Sequence, residues 1–532
     1  MDRYDAIVIG GGHNGLVNGA YLARAGLKTL ILERRHLVGG AAITEELRPG
    51  FRFTTFSYAL SLLRPQIIHE LELTRHGFLP LLMSTRFAPT PDDGDYLLFG
   101  RDHDENLREI IRHSPHDADG YEQYGHDLDR VCQAIKPLLD TVPPDIFSDD
   151  PDELTALAEL AARLRGLDKR TLHNAVRLLT GSAADFLDGY FRSELLKGYL
   201  ASSGIIGSKV GPRSQGSGLV LLFHSLGEHD GEFGTWAFHK DGNGGFTQVL
   251  SRAAQSFGAE IRLEAPVERV LTRDGEATGV ALSDGTEIAA DVVVSALDPR
   301  RTFLELVDPR ELPDDLVEDI RRLKFQGVSS KVNFALDGLP AHPTLGARPE
   351  LFRGFMNIGP SIDYLERAFD EGKYGWYSSD PYIDCAIQST IDPDMAPPGK
   401  HVLSCFVQYT PYHLRESDWD AEREPMADRV QATLERFFPG FGDLVLQREV
   451  QTPLDIERTV GLSEGNIFAG EFLAPQMFFF RPAPGWAQYR TPLHGYYQCG
   501  SGTHPGGCVM GAPGRLAAGQ ILKDRARPTS RD

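Results

Sequence analysis

Residues 4–35 read YDAIVIGGGHNGLVNGAYLARAGLKTLILERR. Residues 6–9 are a short apolar run of the kind buried in a parallel sheet. Three consecutive glycines close it, where glycine weakens both strand and helix, so something must approach the backbone too closely for a side chain. Gly10, Gly12 and Gly15 form Gly-x-Gly-x-x-Gly. Residues 16–25 then read as a helix with one apolar face, ended by Gly26, and residues 29–32 as a second strand ending at Glu33.

This is a complete βαβ opening, with the acid about 20 residues past the glycines. Gly10 permits the tight turn, Gly12 lets the backbone approach a pyrophosphate, and Gly15 lets helix and strand close together. The helix N-terminus offers free N–H groups and partial positive charge to phosphates. Glu33 accepts hydrogen bonds from ribose hydroxyls and repels a 2′-phosphate. A Gly-rich turn that binds nothing is the alternative, and the full context weighs against it. Gly39 and Gly40 mark a second close approach, placed where a flavin dinucleotide continues past its pyrophosphate; a simple loop turn is the other reading.

The 532 residues exceed one ordinary core, so two or three domains or a large composite fold are expected. With 41% apolar and 24% charged residues the chain is globular in composition. A net charge of −21 argues against a nucleic-acid partner. Cys132, Cys385, Cys405, Cys499 and Cys508 form no Cys-x-x-Cys pair, which removes the usual dithiol centre of flavin disulfide reductases and fits a reducing compartment. No apolar run approaches a membrane span, and the first strand leaves no room for a targeting peptide. A cytoplasmic protein is expected; peripheral membrane contact and oligomeric state stay open.

Residues 71–234 read as mostly helical. Residues 140–153 form a proline- and acid-rich loop, residues 154–167 a helix, and residues 207–218 a flexible connection. Helix and strands alternate from residue 242, with hairpin signals at Asp274-Gly275 and Asp284-Gly285. Near the end, YYQCGSGTHPGGCVMGAPGRLAAGQIL at 496–522 runs from a strand through a glycine-rich turn into a helix.

The opening fingerprint, Gly39-Gly40, GNGGF at 242–246, GAEIRLEAPVERVL at 258–271 and CGSGTHPGG at 499–507 together resemble FAD-dependent oxidoreductases of the phytoene desaturase and amine oxidase superfamily. The resemblance implies an α/β fold, α+β overall. A Rossmann-like FAD-binding domain would be assembled from 1–75, 235–305 and 490–532. A helical substrate or cap region, 76–234, and a mixed sheet and helix substrate domain, 306–489, would fill the gaps. It implies FAD as cofactor, a small apolar substrate, and oxygen or a quinone as electron acceptor. The expected activity is removal of hydride from an apolar, polyene or lipid-like, substrate. Amine oxidation, flavin-held isomerisation and an FAD-bound scaffold remain as alternatives.

The cofactor-binding candidates are Gly10, Gly12, His13, Asn14, Gly15, Glu33, Arg34, Gly39, Gly40, Ala41, Val267, Gly500, Ser501, Val509, Met510 and Gly511. Val267 would hold the adenine through its backbone. Cys508 departs from the family, where glycine is expected. The catalytic candidates are Lys331 and His504. Lys331 resembles the lysine that holds a water at the flavin in the amine oxidase branch; a solvent-facing strand lysine is the ordinary reading. His504 is either a hydrogen-bonding group near flavin or substrate, or a turn histidine. Cys499, His504 and Cys508 lack a fourth ligand, so no metal is expected. Phe478, Phe479, Phe480 and Trp486 read as core under a loop, with a substrate tunnel as the alternative. Arg490 reads as a surface residue.

Overall fold

The opening fingerprint folds as strand Arg3–Ile9, helix His13–Arg24 and strand Thr29–Leu32 in a computed structural model that describes residues 3–91, 94–229 and 231–526. Residues 527–532 of the expected last segment lie outside the described residues. The parallel part of a seven-stranded sheet runs in the order Glu260–Arg262, Thr29–Leu32, Arg3–Ile9, Glu287–Ser295, Tyr496–Gln498. Strands far apart in sequence therefore lie side by side. All four residues of Thr29–Leu32 are buried, as expected of a parallel strand covered on both faces. Val267–Arg273 and Glu276–Leu282 extend the sheet antiparallel from Glu287–Ser295. Asp274 and Gly275 make the first hairpin turn with φ of 51° and 78°.

Helix His13–Arg24 lies against helices Gly242–Ser256 and Ala512–Ala526. The second approach is close because one side of it is glycine. A Cβ on Gly514 would stand 2.2 Å from the Asn14 carbonyl oxygen, and Asn18 Nδ2 donates to the Gly514 carbonyl at 3.0 Å.

A second seven-stranded sheet has the order Val445–Gln451, Ser329–Leu336, His401–Gln408, Tyr382–Ala386, Gly354–Ile358, Thr85–Pro89, Tyr96–Phe99. Its pairs are antiparallel except Gly354–Ile358 with Thr85–Pro89. Val332, Phe334, Leu336 and Val407 bury one face against Val430 and Leu434 of helix Trp419–Phe437. Side chains alternate along a strand, so Ser329, Lys331 and Asn333 turn to the opposite face.

Between residues 103 and 225 the chain is helical, as expected, but residues 85–89 and 96–99 are strands of the second sheet. Two four- to five-residue strands around a turn carry too few apolar positions to declare their period; Phe87 and Leu97 supply their buried contacts. Residues 207–218, expected as a flexible connection, are packed against the rest of the fold. Their glycines permit close approach: a Cβ on Gly207 would meet Ile467 at 2.5 Å and one on Gly218 the Leu178 carbonyl at 2.7 Å. Gly207 N–H also donates to Gln408 at 2.7 Å. Helix Pro151–Arg165 forms by propensity and capping, with Asp150 accepting from the Asp152 N–H, and buries none of its described residues. Among the described residues no helix is long and apolar enough to cross a membrane.

Candidate active site

A continuous cavity of about 900 Å³ lies between the two sheets and the helical region. One end is built from the fingerprint. Gly10 takes φ of 100°, open to glycine and strained for other residues, and turns the chain out of its strand. A Cβ on Gly15 would sit 2.0 Å from the Gly10 carbonyl oxygen, so helix and strand touch there. A Cβ on Gly12 would meet nothing closer than Gly40 Cα at 3.9 Å and would project into the cavity. Gly12 and Gly39 pair as an isolated parallel bridge, which brings the second glycine doublet against the first.

This end fits a dinucleotide on observations beyond the motif. Helix His13–Arg24 starts without a side-chain cap or an acid in its first turn, which leaves its N–H groups for an anion. His13 Nε2 and Asn14 Oδ1 are buried with no partner in the chain. Burial lowers the His13 imidazole to about 4, so it is neutral at pH 7. The buried Glu33 carboxylate accepts from Gly11 N–H at 2.8 Å and Arg35 N–H at 2.9 Å. Both bonds fix its direction and leave lone pairs for a ligand.

Of the cofactor-binding candidates, Gly10, Gly12, His13, Asn14, Gly15, Glu33, Arg34, Gly39, Gly40, Ala41, Val267, Ser501 and Val509 line the cavity. Gly500, Met510 and Gly511 stand behind the wall. A Cβ on Gly500 would lie 2.5 Å from the Leu297 carbonyl, and the Met510 carbonyl accepts from Arg64 N–H at 3.1 Å. Cys508 has φ of 69°, a backbone region that glycine occupies without strain.

Lys331 is not solvent-facing. It is 3% exposed, in a strand paired on both sides. Its Nζ donates to Ser404 Oγ at 2.6 Å and lies 3.8 Å from the Tyr58 ring centroid. Burial pulls its ammonium down to about 7. Sheet register sets Lys331 opposite Phe406, and Phe406 opposite Asp384, which in turn faces Asn357. Directly opposed residues share a face, so one cross-strand row carries Lys331, Phe406, Asp384 and Asn357 towards the cavity, which all four line. Tyr58 Oη donates to Asp384 at 2.5 Å and Asn357 Nδ2 at 2.8 Å. Burial raises the Asp384 carboxyl to about 7. The wall around this row is largely apolar or aromatic, with Ile206, Leu221, Trp236, Phe355 and Ile467.

Sequence reasoning missed Tyr58, Asn357 and Asp384. The available signal was a single polar residue in each of two short apolar strands, FMNI at 355–358 and YIDCA at 382–386.

His504 lies off the cavity. Its Nε2 meets the Leu138 carbonyl at 2.8 Å, its ring stands edge-on to Phe478 with centroids 5.0 Å apart, and burial lowers it to about 4. Its Nδ1 is buried with no partner in the chain. Phe478, Phe479, Phe480 and Trp486 are likewise absent from the described lining. Arg490 pairs with Asp524 of the last helix at 2.6 Å. Cys385 and Cys405, remote in sequence, oppose each other in the second sheet. They face its apolar core rather than the cavity, and burial raises the Cys385 thiol well above its ordinary value. Among the described residues no cluster of three His, Cys, Asp or Glu could hold a metal ion.

Residues 15–522 match the family described as flavin containing amine oxidoreductase. The chain is 41% identical to the rat (Rattus norvegicus) pyridine nucleotide-disulfide oxidoreductase domain-containing protein 2, over 98% of this chain and 94% of that one. It is 26% identical to a lycopene-forming phytoene desaturase of Paracoccus sp., over 98% of each. Among solved structures, cyclohexylamine oxidase from Brevibacterium oxydans shares the fold with a TM-score of 0.56 at 17% identity, covering 98% of this chain and all of the other.

Proposed function

The chain belongs to the flavin containing amine oxidoreductase family, and from that premise we propose that it is an FAD-dependent dehydrogenase that removes hydride from an apolar, polyene or lipid-like, substrate. That it is an oxidoreductase and that FAD is its cofactor follow from the family. The substrate class is our reading. The observation that carries it is the apolar and aromatic chamber continuous with the dinucleotide end of one cavity. The Paracoccus relative, named for desaturating phytoene, supports the same reading.

In this reading the pyrophosphate lies against Gly12 and the free end of helix His13–Arg24, Glu33 takes the ribose, and the Val267 backbone takes the adenine. Arg34, Gly40, Ala41, Ser501 and Val509 complete the wall. Bound FAD supplies a two-electron acceptor for a C–H bond. The chain positions the substrate, keeps water out of the chamber, and holds a cation, Lys331, at its floor. Oxygen or a quinone then takes the electrons, and the free cysteines support a reducing, cytoplasmic setting. Amine oxidation is the second reading, favoured by the burial of Lys331 in the cavity wall.

The test is anaerobic mixing of the purified yellow protein with a carotenoid precursor, a monoterpene hydrocarbon and primary amines. Flavin bleaching by the hydrocarbons and not by the amines is expected. Bleaching by amines alone overturns the substrate class, and rapid bleaching by NADH or NADPH restores a reductase.

A further inference from the structure

Dehydrogenation across a C–C, C–O or C–N bond removes a hydride and a proton. In the reading above the hydride would go to bound FAD, and the proton needs a base supplied by this chain. The described carboxylates that line the cavity are Glu33, Glu122, Asp129, Asp298 and Asp384. Glu33 lies at the dinucleotide end, beside Gly11, where the reading above gives it the ribose. Asp298 accepts from Ser463 Oγ at 2.8 Å and from its N–H at 3.2 Å. Glu122 is exposed and Asp129 half-buried on helix Asp117–Ile135, where the cavity meets solvent. Asp384 alone among these stands in the apolar chamber, on the same cross-strand row as Lys331.

We propose that Asp384 is the proton acceptor of the reaction, positioned by Tyr58 and Asn357. Each of its oxygens accepts one hydrogen bond from these partners and keeps a second lone-pair direction. The balance is closed. The electron pair of one C–H bond leaves with its hydrogen to the flavin, and the neighbouring hydrogen passes as a proton to Asp384. The pair that bound it becomes the new π bond, so the substrate loses two electrons and the flavin gains them. Burial supports the role, because a carboxylate raised to about 7 is a far better base than one in water. Tyr58, Tyr199, Tyr382, Cys385 and Lys331 are titratable groups that interact with it, and the charged Arg86, opposite Phe355 on the next strand, lines the same cavity. Protonated Lys331 opposes the shift.

This rests on the dehydrogenase reading, but its test needs no redox turnover. The holoprotein is placed in D₂O with 1-nitrohexane, a carbon acid small enough for the chamber, and loss of the proton signal on the carbon beside the nitro group is followed by NMR. Wild type should exchange this position at least ten-fold faster than buffer, with a rate that rises through pH 7 and is flat above it. Asp384→Asn should fall to the buffer rate with FAD content unchanged, and Tyr58→Phe should lie between. Exchange at the buffer rate in wild type, or at the wild-type rate in Asp384→Asn, overturns the proposal. Should Asp384→Asn fail to fold, a wild-type profile that does not rise through pH 7 overturns it equally. A protein that exchanges nitrohexane but is bleached by no hydrocarbon or amine loses the dehydrogenase reading and keeps the base.

Discussion

The two ends of the cavity are made of different material. The dinucleotide end is mostly backbone: Gly10, Gly12, Gly15, Gly39 and Gly40 clear space, and the helix His13–Arg24 offers uncapped N–H groups. The substrate end is mostly side chain: Tyr58, Lys331, Asn357 and Asp384 arrive from a loop and three strands of one sheet. A backbone cradle leaves no room for a side chain beside a bound ligand, and its N–H groups do not titrate. A side-chain floor tolerates substitution, and its charges answer to one another. Mutations at the first end should act on occupancy, and at the second on energetics with the cofactor in place.

The sharpest way to break this contrast is Gly12→Val. Its side chain would enter the cavity rather than the fold, because a Cβ there meets nothing within 3.9 Å. FAD content should fall at least ten-fold, while the apoprotein keeps its far-ultraviolet circular dichroism. Normal FAD content in that variant would place the cofactor elsewhere.

A smaller effect separates His13 from His504. Burial lowers both to about 4 from an ordinary 6.5. Below pH 6.5 the unfolded chain takes up protons first, so each histidine favours the folded state above that pH, and the contribution is lost as pH falls towards 4. One unit below 6.5 this amounts to about 1.4 kcal/mol per histidine. His504→Phe keeps a ring against Phe478 and should flatten the loss of thermal midpoint between pH 6.5 and 5, with FAD retained. Loss of FAD in that variant would move His504 into the cofactor end.

The smallest effect tests the floor. Lys331→Met keeps length and removes the buried cation. FAD content should stay near wild type and the two-electron potential should fall by about 30 mV, equivalent to ~1.4 kcal/mol. An unchanged potential, measured against a reference dye, leaves the lysine a structural partner of Ser404 and Tyr58.

The first end was legible because its chemistry is local. Three glycines, a helix start and an acid within 24 residues need no knowledge of distant chain. Cys508 stood out only against the family resemblance, and its left-handed φ of 69° marks a place glycine fills more easily. The second end exists only through register. Lys331 stood out as a charge inside an apolar strand, but Asp384 joins it only because both strands oppose Phe406. Tyr58 comes from a loop that nothing in its own sequence directs there. His504 stayed open for the complementary reason: a histidine beside a glycine turn looks the same whether its ring faces a ligand or, as here, the Leu138 carbonyl.

The contact between Asn14, Asn18 and Gly514 has a consequence for how the protein is made. The helix carrying the fingerprint leaves the ribosome nearly five hundred residues before the helix that closes on it. Synthesis at about 5–20 residues per second separates them by roughly half a minute or more. Until strand Tyr496–Gln498 joins the parallel sheet, the nascent chain carries a half-built cradle, its helix uncovered on one side. Cofactor capture thereby waits on residues 496–526, and a ribosome stalled before residue 496 should hold a chain that has its signature motif and no flavin.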